Sequence, residues 1–382
     1  MAILYNVGCK LNQYEGLSLA EKYKSDSIVV INTCCVTHEA EVKSLKKLHQ
    51  AQKKHPDKKI IVTGCLVKLK PELFNGFEII GLDERNDIIK EILPAPQKSR
   101  YFLKIEDGCN QPCTFCVVSK LRTTIISKPV EKIKLEIDWA KGLGFNEVVL
   151  VGANIGLYGL DIGSSLVSLL NQISKIPDLP RIRLSSLEPN FINMELISIL
   201  KDLPFCRHFH IPIQSGDDKI LSLMGRRYTS RELEDILELI IKNFSDVAIG
   251  ADVIVGFPGE EEKAFKNTLE LIKNSPLTHL HIFTYSPRPI TPAWKFGDAV
   301  SVDEKKRRFR ALKEIIIEKN FGFRLSLVNK IIRVIIEKKD KKTMGLTDNY
   351  IRINIDQDCK ERELRKARII RVTKNETFGT IV

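Results

Sequence analysis

The chain has 382 residues, 43% of them hydrophobic, which is enough for two or three domains with their own cores. Its nine cysteines fall far short of a disulfide-stapled secreted scaffold, no apolar run approaches the roughly 18 residues of a membrane span, and MAILYNVGCK lacks a leader's charged-then-apolar layout. These features predict a soluble cytoplasmic protein with no membrane contact, whose clustered cysteines serve metal or catalysis.

From residue 1 to about 93, the strand-like runs AILYNVG, SIVVINTC and KIIVTGC alternate with polar helical stretches, the pattern of a small parallel α/β sheet. ILPAPQKSR, with two prolines in three residues, reads as a linker. From 101 to about 287 come six apolar runs, YFLKIE, EVVLVGA, RIRLSS, HFHIPIQ, AIGADVIVGF and HLHIFTYS, separated by helix-length segments. Six β/α units predict a parallel barrel left open, because closure usually takes eight. A long charged helix, VDEKKRRFRALKEIIIEKNFGFRLS, leads into the alternating runs KIIRVIIE, MGLTDNYIRINID, KARIIRVTK and FGTIV, which predict a small all-β module with one solvated face. The net charge of +12 belongs mostly to this end: Ser301 to Val382 holds 22 Lys and Arg against 12 Asp and Glu. Such a patch suits a polyanion such as nucleic acid, the plain alternative being a solvated basic surface.

Cys9, Cys34 and Cys65 each follow an N-terminal strand run, in VGC, INTC and VTGC. In a parallel sheet these positions share the carboxyl edge, where open α/β folds form their crevices, so three sequence-distant thiols are predicted to converge. Cys35 neighbours Cys34, and adjacent strand side chains point to opposite faces, so only one of the two faces the crevice. Cys109, Cys113 and Cys116, in EDGCNQPCTFC, also follow a strand and offer three thiolates from one short loop. Iron-sulfur clusters are held by such thiolates, and three local ligands leave one iron of a four-iron cluster open for reaction. Structural zinc wants four protein ligands, and no fourth Cys or His follows nearby. His208 and His210 lie on one strand face and are read as barrel packing; Cys206 and Cys359 match no cluster motif.

The Cys109-x3-Cys113-x2-Cys116 spacing, with Phe115 before the last cysteine, resembles the signature of radical S-adenosylmethionine enzymes. The ordered set GCKLNQYE, INTCCVT, VTGC, GCNQPCTFC, RIRLSSLEP, IPIQSGDDKILSLMGRRYT, DVIVGFPGE and HIFTYSPR is similar to the methylthiotransferases of that group, over nearly the whole chain. The resemblance implies an α/β protein in three parts. These are an N-terminal parallel α/β domain (1–93), a central open (β/α)6 radical barrel with its connecting helix (94–324), and a small all-β module similar to the TRAM RNA-binding domain (325–382).

By the same resemblance, Cys109, Cys113 and Cys116 ligate a [4Fe-4S] cluster whose open iron chelates S-adenosylmethionine. Cleavage of its sulfonium then releases a 5'-deoxyadenosyl radical, the cofactor carrying the hard chemistry. Cys9, Cys34 and Cys65 match the ligands of a second [4Fe-4S] cluster that delivers sulfur, and Cys34 is preferred to Cys35 because the motif ends INTC. Phe115, Gly152, Glu188 and Gln214 are candidate cofactor contacts, and the GFPGE turn at Gly256 to Glu260 a candidate wall of the adenine site. Where relatives show Arg-Gly and then Ser-Arg after the cluster loop, this chain reads KLRTTIISKP, with Thr123 and Lys128 in place of the glycine and the later arginine. Phosphate contacts from that loop are therefore in doubt.

The opening GCKLNQYE is most like the branch that modifies N6-threonylcarbamoyladenosine at position 37 of tRNA. This implies a tRNA anticodon stem-loop and an electron-donor protein as partners. Alternative substrates are isopentenylated adenosine in tRNA and an aspartate of a ribosomal protein. An alternative of another class is a non-enzymatic iron-sulfur or RNA-binding protein.

Overall fold

The structure, a computed structural model, describes residues 2–94, 99–339 and 342–382. The middle of the predicted linker and the lysine-rich tip around residue 340 lie outside the described residues.

The first sheet is parallel throughout, in the order β1 (Ile3–Asn6), β2 (Ile28–Thr33), β3 (Lys59–Gly64), β4 (Glu78–Ile80). Between its strands run α1 (Lys10–Tyr23), α2 (His38–Lys54), the short α3 (Cys65–Leu69) and, after β4, α4 (Leu82–Ile89). Val29, Ile31 and Val62 lie on one face of the sheet and Val30 and Ile61 on the other, each packed in its own apolar cluster. The near-continuous apolar reading of IVVINT and KIIVTG follows from this burial on both faces. β4 is three residues long and was not among the three predicted strands.

Six parallel strands form the central body: β5 (Tyr101–Lys104), β8 (Glu147–Val151) and β9 (Arg181–Leu184) in one run, β10 (His208–Gln214), β11 (Ala248–Val255) and β12 (His279–Thr284) in the next. The Ile182–Phe205 bridge joins the runs, so the wall is continuous and its seam lies between β12 and β5. Two strands absent from the sequence expectations, β6 (Glu106–Asp107) and β7 (Ile126–Ser127), pair antiparallel and pin both ends of the cysteine loop. α5 (Val118–Leu121) lies within that loop. The outer wall consists of α6 (Val130–Gly142), α7 (Leu166–Ile173), α8 (Met194–Asp202), α9 (Asp218–Leu223), α10 (Ser230–Asn243) and α11 (Glu262–Asn274). Leu150, Ile182, Ile211, Ile249 and Val253 point outward into the main core against these helices. Full burial of each such side chain is worth about 1.5–3 kcal/mol.

α12 (Val302–Leu325) leads to β13 (Ile331–Lys339), β14 (Lys342–Thr347), β15 (Arg352–Ile355), β16 (Leu364–Val372) and β17 (Thr377–Ile381), which close into a barrel in the order β13-β14-β15-β17-β16. Val334, Ile336, Ile353 and Ile369 fill it. The expected solvated face is thus the outside of a closed barrel. MGLTDNYIRINID is two strands, turning at Tyr350, whose φ is 65°.

Candidate functional site

The cysteine loop sits at the carboxyl edge of the central strands, held by one backbone bond across itself and by bonds to two other segments. Cys109 N donates to Arg122 O (2.8 Å), Thr114 N to Met224 O (3.0 Å) and Ala293 N to Thr114 O (2.8 Å). Gly225 packs so tightly against the loop that an added Cβ would lie 2.4 Å from Pro112 O. Cys109 and Cys113 are buried and Cys116 half-buried. Asn154 Nδ2 points at Cys109 Sγ (3.9 Å) and Arg226 Nη1 at Cys113 Sγ (3.3 Å), donors suited to anionic sulfur. Burial pushes the free thiols up, Cys109 to about 11 and Cys113 to about 12, so they are inert as bare nucleophiles. A metal that takes them as thiolates reverses this.

The expected cofactor contacts ring the same edge. Phe115 packs edge-on against Phe257 (centroids 6.4 Å) beneath the Arg226 guanidinium. Glu188 Oε1 accepts from Arg226 Nη1 (2.8 Å). Gln214 is buried at the end of β10 with φ 65°, a left-handed conformation uncommon for glutamine, so its position is imposed by its surroundings. Gly152 has a local reason to be glycine: a Cβ there would lie 2.4 Å from Glu106 Oε2. That Oε2 accepts from Asn154 N (2.8 Å), and burial raises the Glu106 carboxyl to about 8. In the GFPGE turn, Gly256 N donates to Glu260 Oε2, which Arg308 also holds (2.7 Å). Glu106 Oε1, Arg226 Nε and Glu260 Oε1 are buried without partners at this edge, which fits a polar ligand seated among them. Sequence reasoning assigned no role to Glu106, Asn154 or Arg226. Arg226 lay within a quoted motif, but its partners are 113 and 38 residues away.

Cys9, Cys34 and Cys65 all lie at the carboxyl edge of the first sheet: Cys9 just beyond β1, Cys34 directly after β2, Cys65 opening α3. Gly8, at φ 112°, admits the Cys34 side chain, whose Sγ would be 3.2 Å from an added Cβ. Cys9 and Cys65 both lie within electrostatic reach of Cys34, whose thiol burial pushes up to about 12. Cys35 is fully buried among Val29, Ile31 and Leu66. Among the described residues, His210, Asp252 and His281 bring their metal-binding atoms within 4.8 Å of one another.

The two cysteine sets meet across one junction. α3, which begins at Cys65, touches α5, which follows Cys116, and Val117 and Leu121 join the apolar cluster of Cys65 and Leu66. Arg122 ties the junction together. Its Nη1 and Nη2 grip both oxygens of Glu15 (2.9 and 2.8 Å), Nη1 also reaches Asp107 (2.6 Å), and its charge reaches Cys9 and Cys65. Arg85 and Lys104 complete the network on Glu15. Burial opposes ionisation of Glu15, but these three cations outweigh it and hold the carboxyl well below the usual range. Lys128 pairs with Glu136 and reaches Tyr14 Oη (3.1 Å). Of the three basic residues of KLRTTIISKP, Arg122 and Lys128 are thus engaged internally and neither is free for a substrate phosphate, while Lys120 is exposed.

The closed C-terminal barrel docks at the opposite, amino edge of the central strands. Arg181 and Arg183, fully buried and paired with Glu147, donate to the carbonyls of Arg333, Leu346, Thr347 and Asp348. Tyr350 stoppers the lumen, stacked on His208 (centroids 4.3 Å, 22°) and within 5.1 Å of the Arg183 guanidinium.

A six-strand parallel barrel bearing an open three-cysteine loop at its carboxyl edge defines a radical S-adenosylmethionine enzyme. Two family models match: "Radical SAM superfamily" over residues 103–272, and "Uncharacterized protein family UPF0004" over residues 2–80. Threonylcarbamoyladenosine tRNA methylthiotransferase MtaB of Thermotoga maritima is 34% identical, covering 86% of this chain and 85% of that one. The protein of the same name from Aquifex aeolicus is 33% identical over 91% and 94%. The radical S-adenosylmethionine methyltransferase TsrM of Kitasatospora setae, solved with tryptophan and an S-adenosylmethionine analogue, shares the fold: TM-score 0.56, 15% identity, 71% of this chain and 65% of that one. The chain belongs to the radical S-adenosylmethionine methylthiotransferase family. It is accordingly an enzyme that uses a [4Fe-4S] cluster and S-adenosylmethionine.

Proposed function

We propose that this enzyme adds a methylthio group to C2 of N6-threonylcarbamoyladenosine at position 37 of tRNA, with Cys109, Cys113 and Cys116 holding one [4Fe-4S] cluster and Cys9, Cys34 and Cys65 a second. The observation that carries this reading is the junction at which α3, α5 and Arg122 bring the two cysteine sets side by side. Sulfur held by one set then lies near the radical chemistry organised by the other. The names of the relatives support the threonylcarbamoyl substrate. When bound, the clusters and S-adenosylmethionine supply the carbon-centred radical, the sulfur and the methyl group.

The chain's own residues bind and shield. At the first set Arg226 offsets sulfur charge and Asn154 offers an amide donor; Glu188, Gln214, Gly152 and Phe115 border the cofactor. An acidic Glu106 kept protonated at neutral pH offers a hydrogen-bond donor to a cofactor carboxylate. The proposed division is an α/β domain (1–93), the radical barrel with its helix (94–324) and an RNA-gripping barrel (325–382). Outward-facing Arg333, Lys366, Arg368 and Arg371 on β13 and β16 give the last a basic face for tRNA phosphates. A tRNA substrate fits a cytoplasmic enzyme served by an electron-donor protein; no helix of the described residues is long and apolar enough to cross a membrane.

The test combines nucleoside mass spectrometry of tRNA from cells with and without the protein with two variants. Cys109→Ala is expected to abolish S-adenosylmethionine cleavage, and Cys65→Ala to keep cleavage while losing sulfur insertion, each with iron reduced by about half. Full iron and full methylthiolation in Cys65→Ala would overturn the second cluster. Loss of the isopentenyl rather than the threonylcarbamoyl product would overturn the substrate.

A further inference from the structure

Four of the seven histidines of the chain face the lumen of the central barrel. Ring stacking and hydrogen bonds sort the lumen side chains of β10, β11 and β12 into layers. At the floor, His208, His279 and Tyr350 close the amino end, and burial holds His279 down to about 4 and His208 well below the usual imidazole range, so both are neutral. One layer up, His210 Nε2 (2.9 Å) and His281 Nδ1 (3.1 Å) both meet Asp252 Oδ1. The next layer, nearest the cysteine loop, carries Ile254 and the exposed ring of Phe283. Successive layers are two residues, about 6.6 Å, apart.

These layers have unused bonding capacity. Because both imidazoles bond Oδ1, Asp252 Oδ2 is left as an acceptor. In the tautomer whose Nδ1–H donates to Asp252, Nε2 of His281 is a second acceptor, and this ring is 64% exposed. A cleft of about 590 Å³ along the seam reaches His281 from below, bordered by Arg100, Tyr350 and Arg352. Arg100 is only 7% exposed, yet its Nε and Nη1 have no hydrogen-bond partner. Its nearest carboxylates stand off at 3.5 Å (Glu337) and 4.0 Å (Glu147). A buried guanidinium whose Nε and Nη1 are held only in these long ion pairs, at the end of a polar track, is suited to exchange them for shorter bonds to an incoming anion.

Resting on the threonylcarbamoyl reading above, we propose that the lumen is the specificity ruler for the N6 substituent: the base stacks on Phe283, Asp252 and His281 accept from the ureido N–H groups, and Arg100 receives the threonyl carboxylate at the floor. The arm has its polar groups in this order, ureido and then carboxylate, and passes through one layer to end at the next. An isopentenyl arm, apolar beyond N6, would leave Asp252 Oδ2, His281 Nε2 and the Arg100 Nε and Nη1 desolvated without hydrogen-bond partners, which is how a site built for hydrogen bonds rejects an analogue.

The test is steady-state methylthiolation by reconstituted wild type, Asp252→Asn and Arg100→Gln on three tRNAs, bearing at position 37 threonylcarbamoyladenosine, its carboxyl methyl ester, or isopentenyladenosine. Iron content is read on the same preparations to show that the cysteine sites are intact. Both variants are expected to lower the threonylcarbamoyl-to-isopentenyl ratio of kcat/KM by roughly tenfold or more, mainly through KM. The ester is expected to penalise wild type but to penalise Arg100→Gln little further, because the interaction is already absent. Unchanged ratios in an enzyme that does act on threonylcarbamoyladenosine overturn the ruler alone. A wild type acting only on isopentenyladenosine overturns the substrate reading itself. One zinc per wild-type chain, lost in Asp252→Asn, would make the His-Asp-His set an ion site and also overturn the proposal.

Discussion

Cys34 and Cys35 are adjacent in sequence, and the structure separates them by surroundings. Cys34 approaches Gly8 and lies within reach of Cys9 and Cys65, while Cys35 is sealed in the sheet's apolar cluster. Cys34→Ala should therefore lose about half the iron, whereas Cys35→Ala should keep it and lose about 1 kcal/mol of stability from a small cavity, read by iron analysis and urea denaturation. Glu106 yields a pH prediction. Its carboxyl is raised from 4.5 to about 8 by burial, so between those values the folded state holds a proton that the unfolded chain has released. Its contribution to stability falls as pH rises, by up to about 1.4 kcal/mol per pH unit. Glu106→Gln, which keeps the acceptor for Asn154 N, should flatten the decline in urea midpoint from pH 5.5 to 7.5; parallel declines in the two proteins would contradict the assignment. The cysteines were legible in the sequence because their spacing is local or follows strand ends. Glu106, Asn154 and Arg226 were not, because what singles them out is the partner each meets across the fold.

Among elements, the two-residue pair β6 and β7 shows how little regular structure a functional loop requires. It anchors a loop that α5 then presses against α3, and the Arg122 fork locks the arrangement. Arg122→Ala would leave Glu15 and Asp107 buried with fewer cations, at a cost of about 3–5 kcal/mol. Arg122→Lys should recover only part of this, since an ammonium cannot grip both oxygens of Glu15 at once. Thermal melts together with iron content measure both effects; a wild-type melt for Arg122→Ala would show that the junction does not depend on the network. The six barrel strands were readable because each is an apolar run bounded by helix-length segments. β4, β6 and β7 were missed because two or three residues carry no periodicity. The closure of the C-terminal strands was missed because β15 meets β17 across a long connection.

For the molecule as a whole, the basic barrel and the cysteine loop lie at opposite ends of the central strands. On the proposed reading a bound tRNA spans the barrel, its base at one end and its phosphates at the other. Deleting the C-terminal barrel would test this poorly, because it would strip the carbonyl partners from Arg181 and Arg183. Charge reversal on the exposed face, Arg333→Glu with Lys366→Glu and Arg368→Glu, should weaken tRNA binding and flatten its salt dependence by nearly one unit of log slope per lost phosphate contact, with iron content unchanged. Equal slopes in a salt series would return the charge to a solvated surface. The sequence announced the charge asymmetry, but the docking edge depends on the buried Glu147, Arg181 and Arg183 group, which reads in sequence as ordinary strand residues.

The backbone bonds that hold the cysteine loop at Arg122, Met224 and Ala293 involve no metal, and burial keeps the thiols of Cys109 and Cys113 protonated and inert when free. Oxygen, which destroys exposed iron-sulfur centres, would here strip the contents of a socket without dismantling it. Damaged enzyme should thus be repairable in place: iron and sulfide restore activity to a chain that never unfolded, and its far-ultraviolet circular dichroism barely changes across the cycle of loss and reloading. Inactivation by air becomes a reversible setting of the enzyme, and the tRNA modification it makes a record of the iron and oxygen its cell has met.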